Sequence, residues 1–196
     1  QQNINMKILL LIALLFSSTS NFAQDKNCEL LTKVNDSLGT YNVMPDYLMY
    51  EKKFGSKEDY LFLSLANTNG TPFLKFQLVQ KNNQFIKTFC LDHNSKLHFQ
   101  LSNGKIVTMI HTEDETCGTL VNLPEEGKYS RISTGNFLFL KGTMEDLKTA
   151  PISLLRLKNT TENIDYIIKS SFTSELTKEQ VTPENYFIDY LKCVEN

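Results

Sequence analysis

Apolar and polar residues alternate along most of this chain with a period of two, and Gly, Asn, Ser and Asp interrupt the alternation roughly every ten residues. That rhythm predicts a mainly β fold, a single antiparallel β-sandwich-like domain. The sharpest segment is KLHFQLSNGKIVTMIH, from Lys96 to His111. Asn103-Gly104 separates two β-rich runs and suits a two-residue type I′ turn, which needs positive φ at both central residues. Pairing outward from it sets Leu101 opposite Ile106, Phe99 opposite Thr108 and Leu97 opposite Ile110. The expected buried face is Leu97, Phe99, Leu101, Ile106 and Ile110, broken by Thr108. The expected solvent face carries Lys96, His98, Gln100, Ser102, Lys105 and His111, with Val107 and Met109 among them. A slip of one residue would exchange the two faces.

The remaining strands follow from the same alternation. Tyr47–Lys53 and Glu58–Ala66 flank a turn at Phe54–Lys57. Thr71–Gln80 comes next, with Leu74, Phe76 and Leu78 on one side, and Phe85–Leu91 resumes after Lys81–Gln84. Lys128–Lys141, Ile152–Leu157 and Ile164–Ser170 complete the set. Cys28–Val34 suits a first strand or a short helix, and Asn35–Thr40 reads as a turn. Periodicity fails between Thr112 and Gly127, which reads as an acidic loop carrying Cys117. Helical spacing appears twice. A short helix is expected near 143–150, with Thr143 as N-cap and Pro151 as its stop. A C-terminal helix is expected from Thr182-Pro183-Glu184, its stripe of Tyr186, Phe187, Tyr190, Leu191 and Val194 packed on the sheet.

Composition narrows the partners. The chain has 196 residues, enough for one domain with a sizeable core, and a formal charge of −2. Its arginines are Arg131 and Arg156, and tryptophan is absent, so nucleic acid is excluded as a partner. Met6–Ala23 reads as a signal peptide: Lys7 supplies the positive start, Ile8–Phe16 the apolar stretch and Ser17–Ala23 a small, polar cleavage region. A membrane span needs about twenty apolar residues, so no transmembrane anchor is expected in the mature chain. Residues 1–5 precede the first methionine and are set aside. The reading is a signal peptide at 6–23 and one β-rich domain at 24–196, exported to the periplasm or the exterior. Cys28, Cys90, Cys117 and Cys193 are an even number in an exported chain and predict at least one disulfide bond, with three connectivities open. Their spacing has no CxxC pair and disfavours structural zinc.

Candidate chemistry is sparse. In the register above, His98 and His111 are diagonal neighbours on one face, and Glu113 continues that face, so the three form a candidate metal site. A solvated sheet face explains the same residues without a metal. Cys117 with His111 has the composition of a nucleophile–base pair, set against its expected place in a disulfide. Asp92-His93 would orient an imidazole, but no GxSxG elbow is present and Ser133-Thr134-Gly135 does not replace it. Glu113, Asp114, Glu115, Glu125 and Glu126 are acidic enough for calcium yet lack alternating ligand spacing. No cofactor is implied.

The leader MKILLLIALLFSSTSNFAQ, with its Ala/Gln cut, and the Lys-, Asn- and Ile-rich mature chain resemble small exported proteins of Bacteroidetes, especially of the flavobacterial type. LSNGKIVTMIH, STGNFLFLKG and PENYFIDYLKC point the same way. Asp36-Ser37-Leu38 matches the short Asp-Ser/Thr-apolar pattern glycosylated on oxygen in that group. The resemblance implies a bacterial envelope or secreted location and carries no activity or catalytic residue. Taken together, the sequence leads to a non-catalytic domain that binds a protein or envelope component. The alternative is a small secreted hydrolase, metal-dependent through His98 and His111.

Overall fold

The structure, a computed structural model, describes residues 28–195; the leader read at Met6–Ala23 lies outside them. The strands, in chain order, are β1 (Thr32–Asp36), β2 (Gly39–Val43), β3 (Tyr47–Phe54), β4 (Lys57–Thr68), β5 (Thr71–Asn82), β6 (Cys90–Leu91), β7 (Lys96–Leu101) and β8 (Ile106–His111). After them come β9 (Thr116–Cys117), β10 (Thr119–Leu123), β11 (Lys128–Phe139), β12 (Ile152–Lys158), β13 (Asn163–Ile167), β14 (Phe172–Thr173) and β15 (Gln180–Val181). Eleven of them form one antiparallel sheet in the order β1-β2-β4-β5-β11-β8-β7-β12-β13. In addition β3 pairs with β4, and β10 with β11.

The sheet curls until its inner face meets itself, which makes it sandwich-like. Leu61, Leu63 and Leu65 of β4 pair across to Leu78, Phe76 and Leu74 of β5, and all six are buried. Each such side chain contributes about 1.5–3 kcal/mol through the water it leaves. Curling brings β3 to β13, where the rings of Tyr50 and Tyr166 meet edge to face at 5.2 Å.

One end of the core is covered by the C-terminal segment. A 3-10 turn (Pro183–Asn185), the helix α1 (Tyr186–Tyr190) and a second 3-10 turn (Leu191–Val194) follow one another. The expected stripe is buried at Tyr186, Phe187, Leu191 and Val194. Phe187 meets the Phe99 ring edge-on at 5.0 Å, and Asn67 Nδ2 donates to the Val194 carbonyl at 2.6 Å. A disulfide from Cys193 to Cys28 ties this cap to the start of the domain. A second joins Cys90 to Cys117, between β6 and β9. The short helix expected near 143–150 is a 3-10 turn over Met144–Lys148 that buries Leu147. Thr143 does not cap it, because its Oγ1 donates backward to the Leu140 carbonyl at 2.8 Å.

The organising hairpin forms, but in the neighbouring register. Phe99 pairs with Val107, Leu97 with Met109 and His98 with Thr108. Leu97, Phe99 and Leu101 are buried as expected. Val107, Met109 and His111 are buried with them, whereas Ile106 is 64% exposed and Ile110 lies on the outer side. The turn is the cause. The Gly104 amide donates to the Leu101 carbonyl and the Leu101 amide to the Lys105 carbonyl. Only Gly104 takes positive φ, at 84°. This is a three-residue loop with glycine in the left-handed position, and the extra residue moves β8 by one.

Three further expectations are corrected. Only Cys90 and Leu91 of the run from Phe85 are strand, because Arg131 rather than a neighbouring strand holds the loop before them. The Thr112–Gly127 segment contains β10, which pairs with β11. Residues 35–40 are split between β1 and β2, which pair through Asp36 and Gly39 about a two-residue tip.

Candidate functional site

The end of the core opposite the C-terminal cap is open, and the strand pattern shows why. Inward positions on β4 run Leu65, Leu63, Leu61 and then Asp59; those on β5 run Leu74, Phe76, Leu78 and then Gln80. A face that turns from apolar to polar at its end stays apolar where it is covered and becomes polar where water enters. Asp59 sits opposite Gln80, whose Nε2 donates to it at 3.1 Å, and Lys57 pairs with the same carboxylate at 3.3 Å.

These residues line a half-open cleft of about 470 Å³. Its floor is aromatic, built from Tyr50, Tyr166 and Phe89, with Ile164 beside them. Burial, and secondarily the Asp59 charge, raise the phenol pKa of both tyrosines, so they present neutral rings and hydroxyls at physiological pH. Charged residues line it too: Lys57 is paired with Asp59, Lys81 with Glu126 and Asp165 with Arg156, whereas Lys52, Lys87 and Glu162 form no ion pair among the described residues. A second hollow of about 250 Å³ shares Lys52, Lys57 and Asp59 and extends the cleft to Phe54. Phe54, at the end of β3, and Phe85, in the loop before β6, are 80% and 70% exposed.

Arg131 fixes the outer wall. Its side chain is buried, with Nε donating to the Ile86 carbonyl at 3.0 Å and Nη1 to the Gly118 carbonyl at 2.6 Å and to Thr88 Oγ1. The guanidinium lies 5.7 Å from the Phe85 ring centre. Arg156 is also engaged within the chain, bidentate to Asp165 at 2.6 and 2.7 Å. Neither arginine offers its fork to an outside anion.

The residues singled out from the sequence are only partly brought together. His98 faces outward, its Nδ1 2.8 Å from Thr108 Oγ1. His111 faces inward, with its ring packed on Phe137 at 5.3 Å. The one-residue shift therefore puts them on opposite sides of the sheet. His111 Nε2 lies 3.8 Å from Glu113 Oε2, but Asn136 holds that carboxylate through its other oxygen at 2.6 Å. Cys90 and Cys117 are bonded to each other, so Cys117 has no thiol for His111 to activate, and Glu115 beside them adds one isolated carboxylate. Asp92 accepts from Thr160, Ser95 and Asn94, which hold it down at about 2 and make it a turn residue. Ser133 is buried with its hydroxyl unpaired. In the acidic loop, Glu126 pairs with Lys81 at 3.0 Å.

His111 is unusual in another way: it is buried and neither ring nitrogen has a hydrogen bond. Space for it comes from Gly135, where a Cβ would lie 2.7 Å from Leu91 Cδ1 and 3.0 Å from the imidazole. Burial lowers its pKa, against the Glu113 charge and the Asp92 backbone, which pull the other way. The folded form thus binds fewer protons than the unfolded chain, whose histidine titrates near 6.5. The stability His111 contributes is full above that value and is lost as pH falls through it toward the lower folded pKa. His111→Leu is expected to flatten this part of the profile. Urea unfolding of both proteins from about pH 7.5 to about 5.5 checks it: the stability of the native protein should fall relative to that of the variant. A constant difference rejects a neutral buried imidazole.

No protein-family model, curated protein or solved structure matches the chain. The reading of its function therefore rests on its own geometry.

Proposed function

We propose that the protein is a non-catalytic binding module that works outside the cytoplasm and takes up part of a protein or envelope component in the open-end cleft. The single observation that carries this is the make-up of that cleft: an aromatic floor, unpaired Lys52 and Lys87 at the rim, and exposed Phe54 and Phe85 at the mouth. None of its lining residues is a serine, threonine, cysteine or histidine, and of its carboxylates Asp59 is held by Lys57 and Asp165 by Arg156, an arrangement that favours binding over a hydrolase site. The matching ligand is amphipathic, with an apolar body on Tyr50, Tyr166 and Phe89 and an anionic group at the two lysines. Two disulfides support an oxidising location, because cytosolic thiols are kept reduced.

The probe that tests this is 8-anilinonaphthalene-1-sulfonate, an apolar aromatic dye with one anionic group. Saturable fluorescence enhancement at about one dye per chain is expected. Lys52→Glu/Lys87→Glu should weaken it at least about ten-fold, since two attractive contacts become repulsive ones. Both residues are exposed, so folding should be kept. Enhancement that never saturates, or that the double variant leaves unchanged, rejects the cleft as the binding site.

A further inference from the structure

The outer face of the sheet carries a groove of about 370 Å³ over β7, β12 and β13. It shares no lining residue with the open-end cleft, so neither assignment depends on the other. The ladder sets its charges in rows. Lys96 of β7 lies directly opposite Lys158 of β12, and His98 lies directly opposite Arg156. Leu97 and Leu157, the pair between these two, are buried, so the four basic side chains stand on the outer face. Like charges placed directly opposite across a ladder destabilise it, and Lys96 with Lys158 is such a pair. Asp165, opposite Arg156 on β13, is taken up by that guanidinium at 2.6 and 2.7 Å. Lys96 and Lys158 form no ion pair among the described residues. The fold therefore keeps a repulsion that it does not need for packing.

The imidazole between these cations is already oriented. Its Nδ1 is held 2.8 Å from Thr108 Oγ1, and its Nε2 has no hydrogen bond among the described residues. Burial, and then the charges of Lys96, Lys158 and Arg156, lower the His98 pKa, the response of an imidazole to a positive field. Asn163, opposite Lys158, and Gln100 add amide donors to the lining. In the next row Ile106 and Leu154 flank Gln100 and give the groove an apolar wall.

The spacing sets the size of a ligand. Neighbouring strands lie about 4.8 Å apart, and alternate residues along one strand about 7 Å apart, so the four basic residues rise from a patch fit for one compact anion. We infer that this groove binds a phosphomonoester, its phosphate between Lys96, Lys158 and His98 Nε2 and its esterified group against Ile106 and Leu154. A phosphomonoester carries about −1.5 to −2 at pH 7, which matches two unpaired ammonium groups, whereas a carboxylate or sulfonate would leave one of them uncompensated. Arg156 adds to the field without leaving Asp165.

The test is a calorimetric titration of the full domain at constant ionic strength and about pH 7.5, where the phosphate is doubly charged. Phenyl phosphate is the probe, benzenesulfonate its singly charged counterpart and inorganic phosphate the free anion. Phenyl phosphate should bind saturably, at least about ten-fold more tightly than benzenesulfonate and several-fold more tightly than inorganic phosphate. Lys96→Gln/Lys158→Gln should weaken it at least about ten-fold and yet melt no lower than the native protein, because it removes a like-charge pair. Lys52→Glu/Lys87→Glu, altered in the cleft, should bind it as the native chain does. Sedimentation with vesicles of phosphatidylcholine and phosphatidic acid would place the ester on a lipid; binding of phenyl phosphate without it places the ester on a soluble molecule. Equal affinity for phenyl phosphate and either of the other anions overturns the inference. So does a groove variant that binds phenyl phosphate unchanged or melts lower, or a cleft variant that loses it.

Discussion

Val107→Asp is expected to prevent folding, while Ile106→Asp, one residue earlier, should leave stability within about 0.5 kcal/mol of the native value. The contrast rests on the hairpin register. Val107 is fully buried opposite Phe99, whereas Ile106 is 64% exposed opposite Gln100. A carboxylate at 107 would be an unpaired buried charge costing several kcal/mol, and truncating the valine removes its packing as well. Against a total stability of about 5–15 kcal/mol, that takes most or all of the margin. Urea titration followed by far-ultraviolet circular dichroism separates the two variants. Were Ile106→Asp the damaging change, β8 would be in the register that the Asn103-Gly104 turn suggests.

The second large effect concerns the bond between Cys28 and Cys193, 165 residues apart in sequence. Removing it as Cys28→Ser/Cys193→Ser is expected to cost up to about 5 kcal/mol, the chain entropy returned to an unfolded loop of that length. The Cys90–Cys117 bond closes a loop of sequence separation 27, and the same reasoning gives about 3.5 kcal/mol for its loss. The first double variant should therefore melt lower than the second. Structure adds to the difference, since Cys193 belongs to the segment that carries Leu191 and Val194 into the core. Chemical denaturation of the two variants beside the native protein decides the order. A smaller loss for Cys28–Cys193 would mean that the cap stays docked without its covalent tie.

The strand framework was legible because β3, β4, β5, β11, β12 and β13 alternate cleanly and end at turn residues. The C-terminal stripe was legible for the same reason at helical spacing. The β8 register was not. Ile106, Val107, Thr108, Met109 and Ile110 are nearly as apolar on one face as on the other, so the turn alone had to decide, and an Asn-Gly pair serves two- and three-residue loops alike. β10 hid in the acidic loop because its residues are largely exposed and owe their place to the β11 ladder. The cleft was hidden for a different reason. Tyr50, Asp59, Gln80, Phe89 and Tyr166 are ordinary residues on separate strands and loops, and only the curl of the sheet collects them. One signal was present in retrospect: the inward faces of β4 and β5 change from Leu and Phe to Asp and Gln at the same end.

The covalent tie between Cys28 and Cys193 also has a mechanical consequence. Both described ends of the domain emerge next to one bond. Tension applied to the chain on either side of them would pass through that bond, and the hydrogen-bonded ladders between residues 29 and 192 would carry none of it. Without that bond, a pull on the two ends would load those ladders directly. Here the sheet is bypassed, and a domain suspended or towed from either end would keep its fold under load for as long as the sulfurs stay joined.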